Sequence, residues 1–181
     1  PISPALYAAL QGKRRCLVIA RVTKHMVYSF QPADRIVSEE LLVFPLESNA
    51  HFAVMQSRVH EPWARLLSSS MKNDLRYAPS DCFETFPFPP DAALSAKSDL
   101  EAIGKQLYET RAQLMRGRNQ GLTTTYNQLK DPGVTDAEIE TLRALHLELD
   151  RVVLEAYGWG DVAVPGFSES RTGAEWQAKE A

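Results

Sequence analysis

Apolar residues cluster in short runs over the first part of the chain, and these runs predict strands. The clearest is the β-branched "RCLVIARVT" (15–23), followed by "HMVYSFQP" (25–32) and "IVSEELLVFPL" (36–46). The turn-like "QPADR" separates the last two runs. We therefore expect a small mixed or antiparallel sheet in the first half of the protein.

Helical spacing begins near residue 49. Apolar residues recur there at steps of three or four, namely Phe52, Met55, Val59, Trp63 and Leu66. Ser48 or Asn49 is the expected N-cap, and Pro62 is expected to kink the helix or split it in two. This helix is expected to pack on the sheet.

The segment "SSSMKNDLRYAPSDCFETFPFPP" (68–90) is expected to form a loop, a strand, a turn and a second strand. The first strand reaches the turn "APSD", and the second is the buried "CFETFPF". Because side chains alternate along a strand, Lys72, Asp74 and Arg76 share one face of the first strand in this interpretation. Leu75 and Tyr77 then point to the other face.

Two amphipathic helices are predicted after Pro90. The first runs from about Ser98 to Met115 and is ended by "GRNQG". The second starts at the capping box "TDAE" (135–138), with Thr135 as its N-cap, and closes at a left-handed Gly158. Two apolar-faced helices joined by a loop predict an antiparallel hairpin.

The expected fold class is therefore α+β. It combines a small mixed or antiparallel sheet and a packed helix with a C-terminal antiparallel helical hairpin. The expected division is a recognition domain over 1–94, the hairpin over 95–165 and a polar, flexible tail over 166–181.

Charge is spread unevenly over the 181 residues. The chain carries a net charge of −3, but residues 1–94 hold ten Lys and Arg against nine Asp and Glu, while residues 95–181 hold ten against fourteen. This is not the strongly basic profile of a stand-alone nucleic-acid binder. DNA binding must therefore rest on local residues, and the start on Pro1 suggests a piece of a larger protein.

Patterns that mark catalysis, cofactors or membranes are missing from the sequence. No Gly-rich phosphate loop follows a strand, no "NPPY"-type tetrapeptide occurs, and the four histidines lack partners at metal-ligand spacing. Two cysteines are too few for a disulfide framework, and no apolar stretch approaches the roughly 20 residues of a membrane span. We expect a cytoplasmic chain that catalyses nothing by itself and holds neither a metal nor a cofactor.

The charged strand face allows three interpretations. It is a solvated face with cross-strand ion pairs, the rim of a protein interface, or a reader of DNA bases. In the third, Lys72 donates to guanine O6 and N7 and Asp74 accepts from the cytosine amino group. A Lys-x-Asp pair can then read one G·C base pair.

A family resemblance favours the third interpretation. "LRYAPSDCFETFPFP", together with "LTTTYNQLKDP" and "LHLELDRVVLEAYGW", resembles the target-recognition region and C-terminal helical segment of the MmeI-like single-chain restriction–modification enzymes of type IIG and IIL. The similarity runs from about residue 15 to 160. In that family a nuclease domain and an S-adenosylmethionine-dependent adenine-N6 methyltransferase domain precede the recognition region.

The resemblance implies roles for particular residues. The family varies a pair of residues two apart before the "RY" step, and Lys72 and Asp74 match that pair and imply reading of G. Arg76 matches a position that contributes to a neighbouring base pair. A polar break at Ser38 and Glu39 is a further candidate for base readout.

Candidate contacts to the DNA backbone come from small hydroxyl groups and from cations. They are Ser68, Ser69, Ser70, Arg21, Lys24, His25 and Arg58. A linker role for the serines and a solvated strand end at Arg21 to His25 are the alternatives.

The hypothesis is a DNA sequence-recognition fragment of a bacterial adenine-N6 methyltransferase or restriction–modification enzyme. Its implied partners are double-stranded DNA and the methyltransferase domain of the same parent chain. S-adenosylmethionine, and Mg²⁺ where a nuclease is present, belong to that parent. The alternative is a protein–protein scaffold that binds another subunit through the helical hairpin without contacting DNA.

Overall fold

Two small antiparallel sheets and a set of helices form the protein, and the α+β class is confirmed. In the computed structural model, residues 4–71, 74–95 and 98–167 are described. The elements are α1 (Pro4–Leu10), β1 (Arg15–Ala20), β2 (Val22–Thr23), β3 (Ser29–Pro32), β4 (Leu41–Phe44), α2 (Asn49–Gln56), α3 (His60–Leu67), β5 (Ser69–Met71), β6 (Asp74–Arg76), α4 (Pro79–Cys82), α5 (Asp99–Gly117), α6 (Leu122–Lys130) and α7 (Ala137–Ala156).

Arg21 connects the two sheets. The first sheet has the order β3-β1-β4, and Leu17 on the central strand lies opposite both Phe30 and Phe44. The second sheet has the order β2-β6-β5. Because β1 ends at Ala20 and β2 begins at Val22, one residue links the two sheets.

The start of the segment, expected to be a loop, contains the strand β5, so 68–77 holds two strands where one was expected. β5 and β6 are antiparallel neighbours, with Ser69 opposite Arg76 and Met71 opposite Asp74. The alternation expected on β6 is nevertheless present. Leu75 is buried, whereas Asp74 is half-buried and Arg76 is exposed.

The expected strand "CFETFPF" is also absent. Pro79 begins the short helix α4, and the chain beyond it makes turns. Pro87, Pro89 and Pro90 lack the backbone N–H that a strand ladder needs, which explains why this stretch joins neither sheet. Its phenylalanines pack in an aromatic cluster instead, with ring centroids of Phe86 and Phe88 5.3 Å apart.

The long helix expected from residue 49 is split before Pro62, not by it. Ser48 caps α2 by accepting a hydrogen bond from the backbone N–H of His51, and α2 ends at Gln56. Pro62 lies in the first turn of α3, where a missing N–H costs little.

The helical hairpin is formed by α5 and α7, with α6 between them in sequence. Arg118, just beyond α5, donates to Asp136 and Glu138 at the start of α7, which shows that the helices run antiparallel. The N-cap of α7 is Asp136, whose side chain accepts from Ile139 N, and not Thr135 as expected. Gly158 has the expected left-handed backbone, with φ of 75°.

One hydrophobic core runs through both parts of the chain. Leu17 and Phe52 from the first part are fully buried with Leu107 of α5 and Leu149 of α7 in a single cluster. Helix α5 lies between α2 and α7. The hairpin is therefore held against the sheets by the core itself.

Candidate nucleic-acid interface

Arg21 brings together segments that are far apart in the sequence. Its backbone N–H donates to the carbonyl oxygen of Glu40 at 2.8 Å, and its own carbonyl accepts from the N–H of Tyr77 at 3.0 Å. Its guanidinium donates to the carbonyl oxygen of Glu39 through Nε at 3.2 Å and Nη2 at 3.1 Å. We call these four residues the Arg21 corner, and there loop 33–40 meets the end of β6.

Loop 33–40 presents polar groups at this corner. Ser38 and Glu39 are both exposed. The hydroxyl of Ser38 accepts from the N–H of Glu40 at 3.3 Å, so the loop is closed by a local turn. The bonds from Arg21 to Glu39 fix the loop backbone and leave the Glu39 side chain directed to solvent.

The β5–β6 hairpin forms the other side of the corner. Asp74 and Arg76 lie two residues apart on β6, and Ser69 of β5 is exposed beside Arg76. Ser68 accepts from the N–H of Ala78 at 3.3 Å, which ties the start of β5 to the end of β6. Lys72 lies outside the described residues, as does the side chain of Ser70.

An aromatic core supports the hairpin from beneath. Tyr77 follows β6, is buried, and its hydroxyl lies 2.9 Å from Nε2 of His60. The ring of Phe44 meets the Tyr77 ring edge-on at 5.7 Å. Burial lowers the pKa of His60 to about 4, so this imidazole is neutral at pH 7. The base of the hairpin is thus uncharged and well packed.

Lys24 and His25 lie at a different place, against α6. Nζ of Lys24 donates to Oδ1 of Asn127 at 2.8 Å, and Nε2 of His25 lies 2.9 Å from the same oxygen. Lys24 is exposed, whereas His25 is buried and its pKa is lowered, chiefly by burial. Lys24 can therefore offer a charge to a ligand, whereas His25 helps to hold the side chain of Asn127 in place.

Arg58 points into the protein. Its Nε lies 2.5 Å from Oδ2 of Asp150, which is almost fully buried, and its guanidinium packs over the ring of Phe167. Burial raises the pKa of Asp150 although Arg58 opposes that shift. The structure gives this cation an internal partner and does not bring it to the Arg21 corner.

Sequence reasoning missed the contribution of α3 and α6. Asn127 of α6 accepts from Lys24, and Lys130 of the same helix lies 3.6 Å from Glu61 of α3, which also pairs with Arg65. The polar face of "TYNQLK" is visible in the sequence, but its partner lies 103 residues earlier along the chain. No local pattern reveals a contact of that range.

Over 4–71, 74–95 and 98–167, no group of three or more His, Cys, Asp or Glu side chains is arranged to hold a metal ion. In the same part of the chain, no helix combines the length and the apolar character needed to cross a membrane.

Comparison with known proteins finds a family match over the first half of the chain. Residues 5–90 match the family model of "MmeI, target recognition domain". The match agrees with the predicted resemblance to the MmeI-like enzymes.

Two relatives extend the similarity beyond residue 90. DNA methyltransferase A of Bacillus subtilis (strain 168) is 27% identical over 125 residues, which are 69% of this chain and 13% of that protein. The structure of the type IIL restriction–modification enzyme MmeI in complex with DNA matches with a TM-score of 0.55 and 21% identity, over 86% of this chain and 19% of that one. The fold is shared, and the chain spans less than a fifth of the length of either relative.

Proposed function

We propose that this chain is the sequence-recognition segment of a bacterial DNA adenine-N6 methyltransferase or restriction–modification enzyme. Catalysis lies in a domain of the parent protein outside this chain. The observation that carries the proposal is the Arg21 corner, which joins loop 33–40 to the β5–β6 hairpin. The two segments expected to read bases are thus hydrogen-bonded to the same residue.

The geometry of the hairpin suits the major groove. That groove is about 12 Å wide and admits a two-stranded β-ribbon. Asp74 accepts from the cytosine amino group, and Arg76 donates to O6 and N7 of guanine. Lys72, which completes the Lys-x-Asp pair, pairs with the guanine opposite that cytosine. Each good contact discriminates between bases by about 1–3 kcal/mol.

Loop 33–40 reads a second position beside the hairpin. Glu39 accepts from a cytosine amino group and Ser38 bonds to either purine or pyrimidine edges. Phosphate contacts that hold the register come from Ser68, Ser69 and Ser70 and from Lys24. Arg21 acts here mainly by fixing the loop, since its guanidinium is bound to the Glu39 carbonyl.

The parent supplies the reaction chemistry in this proposal. Methyltransferase relatives support S-adenosylmethionine as the methyl donor, with Mg²⁺ where the parent also carries a nuclease. The recognition segment holds the duplex in register while the methyltransferase domain of the same chain extrudes and methylates one adenine. The proposal also includes a recognition domain over residues 1–94 and a helical hairpin over residues 95–165.

The test is to map methylated motifs of the full-length parent in a host that lacks DNA methylation. The variant Lys72→Glu with Asp74→Arg exchanges the charges of the proposed readers. We expect one motif position to change from G to C while all other positions hold.

The matched control exchanges another charge pair. Lys105 and Glu109 of α5 are an exposed pair 4.0 Å apart, and Lys105→Glu with Glu109→Lys should leave the motif unchanged. A wild-type motif that survives the exchange at Lys72 and Asp74 refutes the assignment of these readers. A wild-type parent that neither methylates nor binds DNA refutes the proposed function, and salt-insensitive binding of another subunit would favour a scaffold instead.

A further inference from the structure

The register of the second sheet places Lys24 beside the proposed reading strand. Val22 lies opposite Arg76 and Thr23 opposite Leu75. Lys24 directly follows the end of β2, and Asp74 is the first residue of β6, so each lies one step beyond the last paired residue of its strand. Neighbouring strands are about 4.8 Å apart. A base pair read by Asp74 thus has Lys24 on its flank, where the DNA backbone runs.

Helix α6 is fastened to the same place. Asn127 accepts from Lys24 at 2.8 Å, and Lys130 follows Asn127 by three residues. Residues three apart lie on the same face of a helix. The bond from Lys24 therefore brings Lys130 of the helical half to the edge of the recognition half.

Helix α3 adds a third cation, Arg65, and the carboxylate of Glu61, which pairs with both Arg65 and Lys130. Oε1 of Glu61 lies 2.7 Å from Nη2 of Arg65 and 3.6 Å from Nζ of Lys130. Burial alone raises the pKa of Glu61, but Lys130 and Arg65 bring it below its ordinary value, so the carboxylate is ionised. We call Lys24, Glu61, Arg65 and Lys130 the cationic cluster.

The cationic cluster holds more positive charge than its internal pairing uses. The cluster contains three cations, of which Arg65 and Lys130 pair with its one carboxylate, so its net charge is +2 in a chain whose net charge is −3. The partner of Lys24 is a neutral amide. Lys130 and Arg65 keep 34% and 27% of their side-chain surface exposed. Lys24 and Lys130 are exposed, and exposed cations with surplus charge suit a polyanion rather than an apolar partner.

We propose that the cationic cluster is a phosphate-binding site for the DNA backbone, built jointly by the recognition half and by α6 of the helical half. The inference rests on the proposed function and adds Arg65 and Lys130 to its contacts. It gives the helical half a direct part in holding DNA, at the flank of the base pair that Asp74 reads. Contacts to phosphate carry no sequence information, so the cluster sets affinity and register but not the motif.

The experiment compares the full-length parent with its Lys24→Gln, Lys130→Gln double variant. Binding to a duplex that contains the mapped motif, and to one that lacks it, is measured by fluorescence anisotropy between about 0.05 and 0.3 M salt. Each lost phosphate contact flattens the plot of log K against log salt by about 0.9. We expect a slope shallower by about 2 on both duplexes, binding roughly 60-fold weaker at about 0.1 M salt, and an unchanged methylation motif.

Two further variants separate binding from folding. Lys130→Arg keeps the charge and should bind as tightly as wild type, whereas Lys105→Gln removes an exposed lysine of α5 outside the cluster and should leave the slope unchanged. If the wild type binds and methylates but the double variant has the wild-type slope, the cationic cluster is not a phosphate site. A changed motif in the double variant would also overturn the inference. Only a wild type that fails to bind DNA would count against the proposed function itself.

Discussion

Gly104 decides how closely α5 approaches α2. It lies within α5, where this helix crosses the start of α2. A Cβ at this position would lie 2.1 Å from the carbonyl oxygen of Asn49 and 3.2 Å from Cβ of Ala53. Both contacts involve backbone or a short side chain that cannot turn away. Gly104→Ala must therefore push α5 and α2 apart.

The expected cost follows from that displacement. A carbon–oxygen contact normally needs about 3.3 Å, so the helices must separate by roughly 1 Å. Overpacking of this kind costs about 1–3 kcal/mol or more. The separation also strains the bonds from Asn49 Nδ2 and Ala50 N to the carboxylate of Glu101, at 2.6 and 2.7 Å. Because the approach of 2.1 Å is very close, the upper end of that range applies, and the helix propensity of alanine returns about 1 kcal/mol, which leaves a net loss of about 2 kcal/mol.

Urea denaturation followed by circular dichroism measures this loss directly. Gly117→Ala is the matched control, since Gly117 ends the same helix and a Cβ there has no atom within 4 Å. The control should be neutral or slightly stabilising, whereas Gly104→Ala should lower the free energy of unfolding by about 2 kcal/mol. Helix propensity alone predicts that both substitutions stabilise. A Gly104→Ala protein as stable as wild type would refute the close packing of α5 on α2.

Three further predictions concern stability. Burial lowers the pKa of His60 to about 4, so the stability that the neutral imidazole contributes is complete above the unfolded-state pKa of about 6.5 and is lost as the pH falls toward 4. The loss is about 3 kcal/mol. His60→Gln should flatten that part of a plot of unfolding free energy against pH, and an unchanged plot contradicts the prediction. Asp150→Ala leaves the half-buried Arg58 without its partner and should cost about 3 kcal/mol in urea denaturation, most of it recovered when Arg58→Met is added. A cost below about 1 kcal/mol would show that the pair is not needed. Ser48→Ala should cost about 1 kcal/mol by removing the N-cap of α2, while Ser48→Asn should stay close to wild type, and equal losses in both would argue against capping.

Local patterns predicted the parts of the fold that depend on neighbouring residues. The helical spacing from Leu100 onward gave α5, and the left-handed Gly158 marked the end of α7. The alternation of Asp74, Leu75 and Arg76 gave the buried and exposed faces of β6. In each case the information lies within a few residues, because helix and strand periods are local properties of the backbone.

Two predictions for residues 68–90 were wrong, and each error has a physical cause. A strand and a hairpin share the same alternation of side chains, so the pattern could not show that 68–77 forms two antiparallel strands. Apolar content predicted a strand at "CFETFPF", but the prolines that follow prevent ladder bonds and favour an aromatic cluster.

The sequence by itself predicted the α+β class and the likeness of residues 5–90 to the MmeI target recognition domain, and it proposed the candidate readers on β6. The tertiary structure alone decided which candidates meet. It joined Arg21 to Glu39 and Tyr77, turned Arg58 toward Asp150 across 92 residues, and bound Lys24 to Asn127 across 103. These pairings depend on how the core brings α6 and α7 against the sheets, and side-chain periodicity carries no information about contacts of that range.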